Sequence, residues 1–381
     1  MRKGWEYKKL GEVATYINGY AFKPDQWKES GTPIVRIQNL NNANAPYNYY
    51  DGEVPDKVKI QNGDLLISWS ASLGAYIWNG GKAFLNQHIF KVAFDKTDID
   101  KFFLKYAVTS KLAAMAEQVH GATMKHIVKK DFDNTLIPYP PLSTQLAIVS
   151  ELDKINELIR LKKEQLKDFD NLAQSLFYEM FGDPVENEKG WEVKKLGDIC
   201  TDITDGDHMP PPKSEFGIPF ITISDIDKDT RCLNFENTFY VPEDYYNNLK
   251  ENRKPQKGDL LYTVTGSYGI PVIVKTDKKF CFQRHIALLR PNKEILSTIF
   301  LCYWVLSDGV KFMADKVATG IAQKTVGLNS IRKFSCILPP LPLQHLFAQR
   351  IEQIEREKSE VQKSIQDLET LLASRMQYWF E

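Results

Sequence analysis

The chain has 381 residues, and its 49 lysines and arginines are balanced by 49 aspartates and glutamates. At about 150 residues per domain, this length predicts two or three domains, and a hydrophobic content of 43% excludes a disordered chain. The net charge of zero excludes a protein coated in basic residues, so any binding to nucleic acid must use local patches.

The pattern predicts no membrane segment and no disulfide framework. The N-terminus lacks the apolar stretch of a signal peptide, and the longest apolar run, residues 299–306, is far shorter than the roughly 18 residues that span a bilayer. We therefore expect a cytoplasmic protein. All five cysteines lie in the second half without a C-x-x-C pair, which favours buried thiols over disulfides or a zinc site.

The chain is a tandem repeat. Residues 4–13 return as residues 190–199, with seven of the ten positions identical. The Gly-Asp-Leu-Leu segment at residues 63–66 recurs at residues 258–261, and later segments repeat at a constant offset of 199 residues. Insertions therefore collect in the first part of each copy, whereas the last part keeps strict register.

The globular part of each copy is predicted to mix strands and helices. Residues 33–39, 64–70 and 84–94 are rich in Ile, Val, Leu and aromatic residues, which is typical of strands. Residues 102–118 have the pattern of an amphipathic helix, and residues 300–317 match them in the second copy. The fold class is therefore expected to be α+β.

A heptad pattern runs through residues 143–181 and is repeated in residues 341–381. Each segment predicts a helix of about 39 residues, or roughly 58 Å at 1.5 Å per residue, which must pack on a partner helix. The apolar a and d positions of this seam are Leu152, Ile155, Ile159, Leu166, Phe169, Leu176, Ile351, Ile354, Val361, Ile365, Leu368 and Leu372.

The connectivity predicts the architecture. We expect a first domain at residues 1–140, a central helix at 141–182, a second domain at 183–340 and a C-terminal helix at 341–381. If the two seams pair with each other they must be antiparallel, which gives a dumbbell with an approximate two-fold axis. The alternative is an extended chain whose helices each pair with another molecule.

Three places that recur in both copies carry side chains suited to DNA. A glycine-containing loop after the Gly-Asp-Leu-Leu strand offers Ser68, Ser70 and Ser72, and in the second copy Thr265, Ser267 and Tyr268. A triplet beside a strand offers Asn86, Gln87 and His88, and in the second copy Gln283, Arg284 and His285. A polar loop after the predicted helix offers Lys125, and in the second copy Gln323 and Lys324.

These residue types match the chemistry of DNA recognition. Glutamine can pair with adenine and arginine with guanine, whereas lysines and hydroxyls contact phosphates. A plain β-turn also favours Ser and Gly, and a buried core histidine is the alternative for His88 and His285.

Charge is distributed unevenly along the chain. Residues 1–140 carry 18 basic against 14 acidic side chains, whereas residues 183–340 carry 21 of each. Each helical segment has 5 basic and 7 acidic residues, which argues against phosphate binding by the helices. The second domain must therefore segregate its charge, and its most evident basic cluster is Lys275, Lys278, Lys279, Arg284 and Arg290.

Motifs for catalysis are missing from the sequence. There is no amino-methyltransferase tetrapeptide, no phosphate-binding loop and no dinucleotide fingerprint. An E-x-K pattern, which some nucleases use, occurs at Glu6 and Lys8 and again at Glu192 and Lys194. Because no acidic residue precedes Glu6, we interpret these residues as a solvated strand face. We therefore expect no catalytic residues and no metal-binding residues in this chain.

The whole chain resembles the specificity subunits of type I restriction–modification systems. The resemblance rests on the W-x-x-x-x-L-G openings at Trp5 and Trp191, the Gly-Asp-Leu-Leu segments, the Pro-Pro-Leu helix starts ending at Gln145 and Gln344, and the paired long helices. It implies a non-catalytic subunit whose two target-recognition domains each read half of a split site in double-stranded DNA.

The resemblance also implies the partners. Two methyltransferase subunits would bind the helices, restriction and translocase subunits would join them, and S-adenosylmethionine, ATP and magnesium would belong to those chains. The alternatives are the specificity subunit of a type IIB-like enzyme, an E-x-K nuclease, and a protein–protein scaffold without a DNA role.

Overall fold

The computed structural model describes residues 4–42, 44–118, 127–207, 211–320 and 323–381. It divides the chain into two compact units. Unit 1 comprises Met1–Lys163 and Lys363–Glu381, and unit 2 comprises Glu164–Gln362. Each unit therefore combines one globular domain with half of each long helix.

Unit 1 begins with short strands and ends in a long helix. Its strands are β1 (Glu6–Lys9), β2 (Thr15–Asn18), β3 (Thr32–Val35), β4 (Asn48–Tyr50), β5 (Lys59–Ile60), β6 (Leu65–Ser68), β7 (Gly74–Ile77), β8 (Ala83–Leu85), β9 (Ile89–Ala93) and β10 (Leu136–Tyr139). Its helices are α1 (Leu10–Val13), α2 (Ile37–Asn41), α3 (Lys101–Gln118), α4 (Lys129–Asn134) and α5 (Leu142–Phe181), whose second half lies in unit 2.

Unit 2 repeats this series with additions. Its strands are β11 (Glu192–Lys195), β12 (Cys200–Asp205), β13 (Ile218–Ile221), β14 (Ile226–Asp227), β15 (Cys232–Leu233), β16 (Phe239–Val241), β17 (Leu260–Thr263), β18 (Pro271–Ile273), β19 (Cys281–Phe282), β20 (Ile286–Pro291) and β21 (Ser335–Leu338). Its helices are α6 (Leu196–Ile199), α7 (Glu243–Asn248), α8 (Thr298–Leu306), α9 (Asp308–Val317), α10 (Leu328–Arg332) and α11 (Leu341–Phe380), whose last part lies in unit 1.

The sheets of the two units have matching strand orders. The antiparallel sheet β2-β9-β6-β7 of unit 1 corresponds to β12-β20-β17-β18 of unit 2. The mixed sheet β4-β3-β8-β5 corresponds to β16-β13-β19, and in both sheets one pair, β3–β8 or β13–β19, is parallel. The ribbon β1–β10 corresponds to β11–β21. The predicted tandem α+β repeat is therefore confirmed.

The two long helices run antiparallel in each unit. In unit 1, Glu151 of α5 pairs with Arg375 of α11, and Lys163 pairs with Glu369 at 2.8 Å. In unit 2, Asp170 of α5 pairs with Lys358 of α11 at 2.8 Å. All twelve seam residues are buried or half-buried, as expected of an apolar stripe that packs on a second helix.

The end of each long helix completes a domain core. Phe181, at the end of α5, is fully buried against Phe177, Phe300 and Phe347 in unit 2. Its counterpart Phe380, at the end of α11, is 1% exposed in the core of unit 1. Burying an aromatic ring is among the largest single contributions that a side chain makes to a core.

Three predicted elements are broken in the structure. The predicted strand 33–39 ends at Val35, and Ile37–Asn41 form the helix α2. The predicted strand 84–94 is two strands in different sheets, because the chain turns at Asn86 between β8 and β9. The predicted helix 300–317 is divided at Ser307, whose hydroxyl donates to the Trp304 carbonyl and accepts from the Val310 amide. This hydroxyl ends one helix and caps the next.

Within the described residues, no helix is long and apolar enough to cross a membrane. The five cysteines are free thiols; four are buried and Cys232 is exposed. Burial raises the pKa of the Cys302 thiol to about 12, so that it stays protonated at neutral pH.

Candidate DNA interface

In unit 2, backbone hydrogen bonds join the three predicted places. The Val264 amide donates to the His285 carbonyl at 2.9 Å, which links the loop after β17 to the triplet. The Val326 amide donates to the Val264 carbonyl at 2.9 Å, and the Gly266 amide donates to the Lys324 carbonyl at 3.0 Å. The loop, the triplet and the polar segment therefore form one continuous surface.

The triplet of unit 2 is organised around a histidine. Gln283 Nε2 lies 3.0 Å from His285 Nδ1, and Arg284 Nε donates to His285 Nε2 at 3.4 Å. Burial, and then the charge of Arg284, lower the pKa of His285 below its ordinary value, which favours the neutral ring at pH 7. Gln283 therefore lies against the ring, whereas Arg284 is exposed to solvent.

The loop after β17 divides its polar side chains between support and surface. Thr265 is buried, and its hydroxyl accepts from the Thr325 hydroxyl at 3.2 Å. Tyr268 donates to the Asp315 carboxylate, and this hydrogen bond raises the pKa of Tyr268. Ser267 remains exposed and accepts a hydrogen bond from Lys228 Nζ at 3.2 Å.

The exposed part of this surface is basic. It contains Ser267, Arg284, Gln323 and Lys324, all predicted from the sequence, together with Lys228, which the sequence analysis missed. Lys228 lies in the turn between β14 and β15, an insertion of the second copy, so the repeat gave no signal for it. Three cations beside a hydroxyl and an amide provide both phosphate contacts and base-edge contacts.

In unit 1 the matching triplet occupies the same turn, between β8 and β9. Gln87 is exposed, and its Nε2 lies 3.3 Å from His88 Nε2. The ring of His88 contacts the ring of Trp69 at 5.6 Å between centroids, and the Trp69 carbonyl accepts from the Ile127 amide. Lys125, the phosphate candidate of this copy, lies outside the described residues.

Ser68 has a structural role in place of the predicted DNA contact. Its hydroxyl is fully buried and donates to the Ser72 carbonyl at 2.6 Å, so it closes the loop from inside. Thr263 does the same in unit 2, donating to the Ser267 carbonyl at 2.8 Å. Ser70 is also buried, at 6% exposure, and only Ser72 of the three predicted serines is exposed.

Two glycines that the sequence analysis did not single out fix the position of the triplets. A Cβ atom on Gly19 would lie 2.2 Å from the Asn86 carbonyl oxygen, and one on Gly206 would lie 1.9 Å from the Phe282 carbonyl oxygen. Only glycine allows such close approach of two backbones. Both glycines stand 187 residues apart directly after a matched strand, so the repeat itself could have identified them.

Arg290 is half-buried and held in an ion-pair network, so it does not belong to the exposed basic surface. Its guanidinium donates to both carboxylate oxygens of Asp259, at 2.8 and 2.9 Å, and to the Lys254 carbonyl at 3.0 Å. The hydrogen bond with Asp259 raises the pKa of the Arg290 guanidinium above its ordinary value. The predicted cluster of five cations in the second domain is therefore wrong at this position.

The E-x-K residues form local ion pairs, and Lys8 also lies over the Tyr139 ring at 4.0 Å from its centroid. Glu6 lies 3.5 Å from Lys8, and Glu192 lies 3.3 Å from Lys194, on the edge ribbons of the two units. Both glutamate side chains are more than 60% exposed. No group of three His, Cys, Asp or Glu side chains that could hold a metal ion occurs among the described residues.

Comparisons with known proteins agree with this geometry. The family model "Type I restriction modification DNA specificity domain" matches residues 2–168 and 188–370. The chain is 25% identical to the EcoBI specificity subunit of Escherichia coli, over 95% of this chain and 81% of that protein. It is 24% identical to the MjaVIII specificity subunit of Methanocaldococcus jannaschii, over 97% of this chain and 92% of that protein.

Solved structures show the same fold. A chain from a structure described as "Structural basis underlying complex assembly and conformational transition of the type I R-M system" has a TM-score of 0.63 at 20% identity, covering 99% of this chain and 97% of its own. The S subunit from M. genitalium has a TM-score of 0.50 at 14% identity, covering 99% and 96%. Because its two halves both match the family model, the chain belongs to the type I restriction–modification specificity family, whose members are non-catalytic subunits that recognise DNA sequences.

Proposed function

We propose that this subunit reads a bipartite DNA site, with the domain of unit 1 reading one half and the domain of unit 2 the other. The observation that supports the proposal is the repetition of one framework with different side chains on its surface. The same strand order and the same turn carry Gln87 in unit 1 and Arg284 in unit 2. Because glutamine and arginine pair with different bases, two such surfaces suit two different half-sites.

We further propose that the long helices hold two methyltransferase subunits, which restriction and translocase subunits then join. S-adenosylmethionine, ATP and magnesium would bind to those partners. The exposed leucines of α5 favour a protein partner along this helix, since several stand apart from the seam: Leu142, Leu146, Leu158, Leu161 and Leu172. Exposed apolar side chains on a folded protein are typical of an interaction surface when a partner covers them.

A domain exchange tests the bipartite reading. Residues 1–140 are replaced by the first domain of another family member, and the methylated motif of cells that express the complex is read by single-molecule sequencing. We expect one half of the motif to change and the other to stay as it was. The reciprocal exchange of residues 183–340 is the control and should change the other half only. A change in both halves after either exchange would contradict independent reading.

A helix insertion tests the spacing. Four residues added between Lys163 and Glu164 lengthen α5 by about 6 Å and turn its seam by only about 40°. Since base pairs rise about 3.4 Å each, the unread spacer should grow by one or two base pairs. Two inserted residues turn the seam by about 200° and should instead impair assembly. An unchanged spacer in an active four-residue variant would show that the helices do not set it.

A further inference from the structure

One glutamine at the base of each long helix is buried, with both its amide oxygen and its amide nitrogen hydrogen-bonded. Gln145 of α5 is 1% exposed, and Gln344 of α11 is fully buried. The two residues are 199 positions apart and close the Pro-Pro-Leu helix starts. Neither belongs to the candidate DNA interface or to the apolar seam.

Each glutamine joins three segments of its domain. The oxygen of Gln145 accepts from the Asp100 amide at 2.8 Å, at the start of α3, and its nitrogen donates to the Pro140 carbonyl at 2.9 Å. The oxygen of Gln344 accepts from the Ser297 amide at 2.8 Å, at the start of α8. Its nitrogen donates to the carbonyls of Ile295 and Pro339, at 3.0 and 2.8 Å.

These hydrogen bonds supply directionality that the apolar contacts at the helix base lack. Ile148 and Leu152 of α5 are buried in the core of unit 1, and Phe347 and Ile351 of α11 in that of unit 2. Apolar burial is non-directional, so such contacts tolerate small rotations and shifts of a helix. A hydrogen bond weakens steeply when its angle changes, and a buried amide that loses its partner is costly.

We propose that Gln145 and Gln344 are positioning residues that fix the direction in which each long helix leaves its recognition domain, and that they thereby make the subunit selective for one spacer length. The inference rests on the proposed bipartite reading. One extra base pair moves the second half-site by about 3.4 Å and turns it by about 35° around the DNA axis. A rigid helix base keeps the recognition domain from following the displaced half-site, whereas a base without these hydrogen bonds lets the domain follow it.

The test uses the assembled methyltransferase complex and a panel of duplexes. Each duplex carries both intact half-sites, with the native spacer or with a spacer one base pair shorter or longer. The measured quantity is the ratio of methylation rates on altered and native spacers. This ratio is independent of the fraction of active protein, so a loss of folded complex alone does not move it.

Gln145→Met and Gln344→Met keep the side-chain length and remove the hydrogen bonds. We expect each substitution to raise the ratio by about fivefold to tenfold, the factor that corresponds to roughly one net hydrogen bond. Gln344→Glu should raise the ratio less, because a buried carboxyl stays protonated and so keeps an acceptor for the Ser297 amide and one donor for a carbonyl; it serves if a methionine variant does not assemble. Gln349→Met, at an exposed position of the same helix, is the matched control and should leave the ratio unchanged.

The outcomes separate this inference from the function on which it rests. A wild-type complex that methylates all three spacers equally would overturn the spacer selectivity and with it the inference. A wild-type complex that methylates a duplex with one half-site scrambled at the native rate would overturn the bipartite reading itself. The other outcome is a wild-type complex that discriminates between spacers, with methionine variants that lose activity but keep the same ratio of methylation rates on altered and native spacers. This result would overturn the positioning role and leave the glutamines as stabilising residues only.

Discussion

In unit 1 the triplet Asn86-Gln87-His88 exposes an amide at Gln87, whereas in unit 2 the same turn exposes a guanidinium at Arg284. The backbone is held alike in both, by a glycine in contact with the triplet and by a buried hydroxyl that closes the neighbouring loop. The insertion that brings Lys228 to the surface occurs in unit 2 alone. The buried residues that hold the backbone are therefore different from the exposed side chains that would contact DNA. We expect substitutions of the first group to destabilise a unit and substitutions of the second group to change its DNA sequence preference.

The largest expected effect tests whether the helix ends serve the two units alike. Phe380→Ala should lower the unfolding free energy of unit 1 by about 3–5 kcal/mol, since it empties a core position against Phe103. Phe181→Ala should do the same in unit 2, where the ring contacts Phe300. Hydrogen exchange followed by mass spectrometry reports the two units separately. Each substitution should expose its own unit, and Tyr378→Ala, at a 55% exposed position, should expose neither.

The next effect concerns the aspartate of the Gly-Asp-Leu-Leu segment, which pairs with Arg290 in unit 2, whereas its counterpart Asp64 in unit 1 pairs with Lys91 at 3.1 Å. Arg290→Met leaves the Asp259 carboxylate, whose side chain is 3% exposed, without its bidentate partner. We expect a loss of about 2–3 kcal/mol in the stability of unit 2, somewhat less than for a fully buried ion pair. Thermal unfolding of the purified chain measures it. The half-site sequences should not change, and a change in base preference without loss of stability would return Arg290 to the DNA interface.

A smaller effect is expected on base preference, at the exposed side chains of Arg284 and Gln87. Arg284→Ala should cost about 1–3 kcal/mol at one base position if the guanidinium pairs with guanine, and should leave stability unchanged. Gln87→Ala is the corresponding substitution in unit 1 and should relax one position of the other half-site. Binding to a panel of single-base variants of the site gives both numbers. A uniform loss over all sequences would show that Arg284 contacts phosphate.

The smallest effect is a pH dependence of the helix pair in unit 1. The hydrogen bond from Arg375 lowers the pKa of the Glu151 carboxyl below its ordinary value near 4.5. A lowered folded pKa contributes stability above the ordinary pKa, and this contribution is lost as the pH falls through the folded value. Because the pair is about one-third exposed, we expect less than about 1 kcal/mol.

Glu151→Gln measures this contribution. The variant should unfold slightly more easily than the wild type at pH 7, and the difference should shrink as the pH falls below about 4.5. Unit 2 has Arg350 at the corresponding position, so its exchange rates should not respond. A difference that persists unchanged at pH 2 would assign the effect to packing.

The repeat made much of the fold predictable. Two copies at a constant offset predicted two α+β domains and the antiparallel helices, because a seam of that length needs a partner. The breaks at Asn86 and Ser307 fall on polar triplets, Asn86-Gln87-His88 and Ser307-Asp308-Gly309, so the sequence carried turn and N-cap signals that the apolar pattern on either side masked. At the interface, sequence identified the right segments but not the side-chain directions. The buried hydroxyl of Ser68 and the ion pair of Arg290 depend on contacts between residues distant in sequence.

The burial of Phe380 in unit 1 has a consequence for the order of folding during synthesis. Unit 1 contains the first 163 residues, but its core stays open until residue 380 has left the ribosome. At about 5–20 residues per second, some 240 residues separate the end of the first domain from that point, a delay of about 10–50 s. Unit 2 has all its residues earlier. The nascent chain therefore finishes its second domain before its first, and the core position beside Phe103 stays unfilled meanwhile.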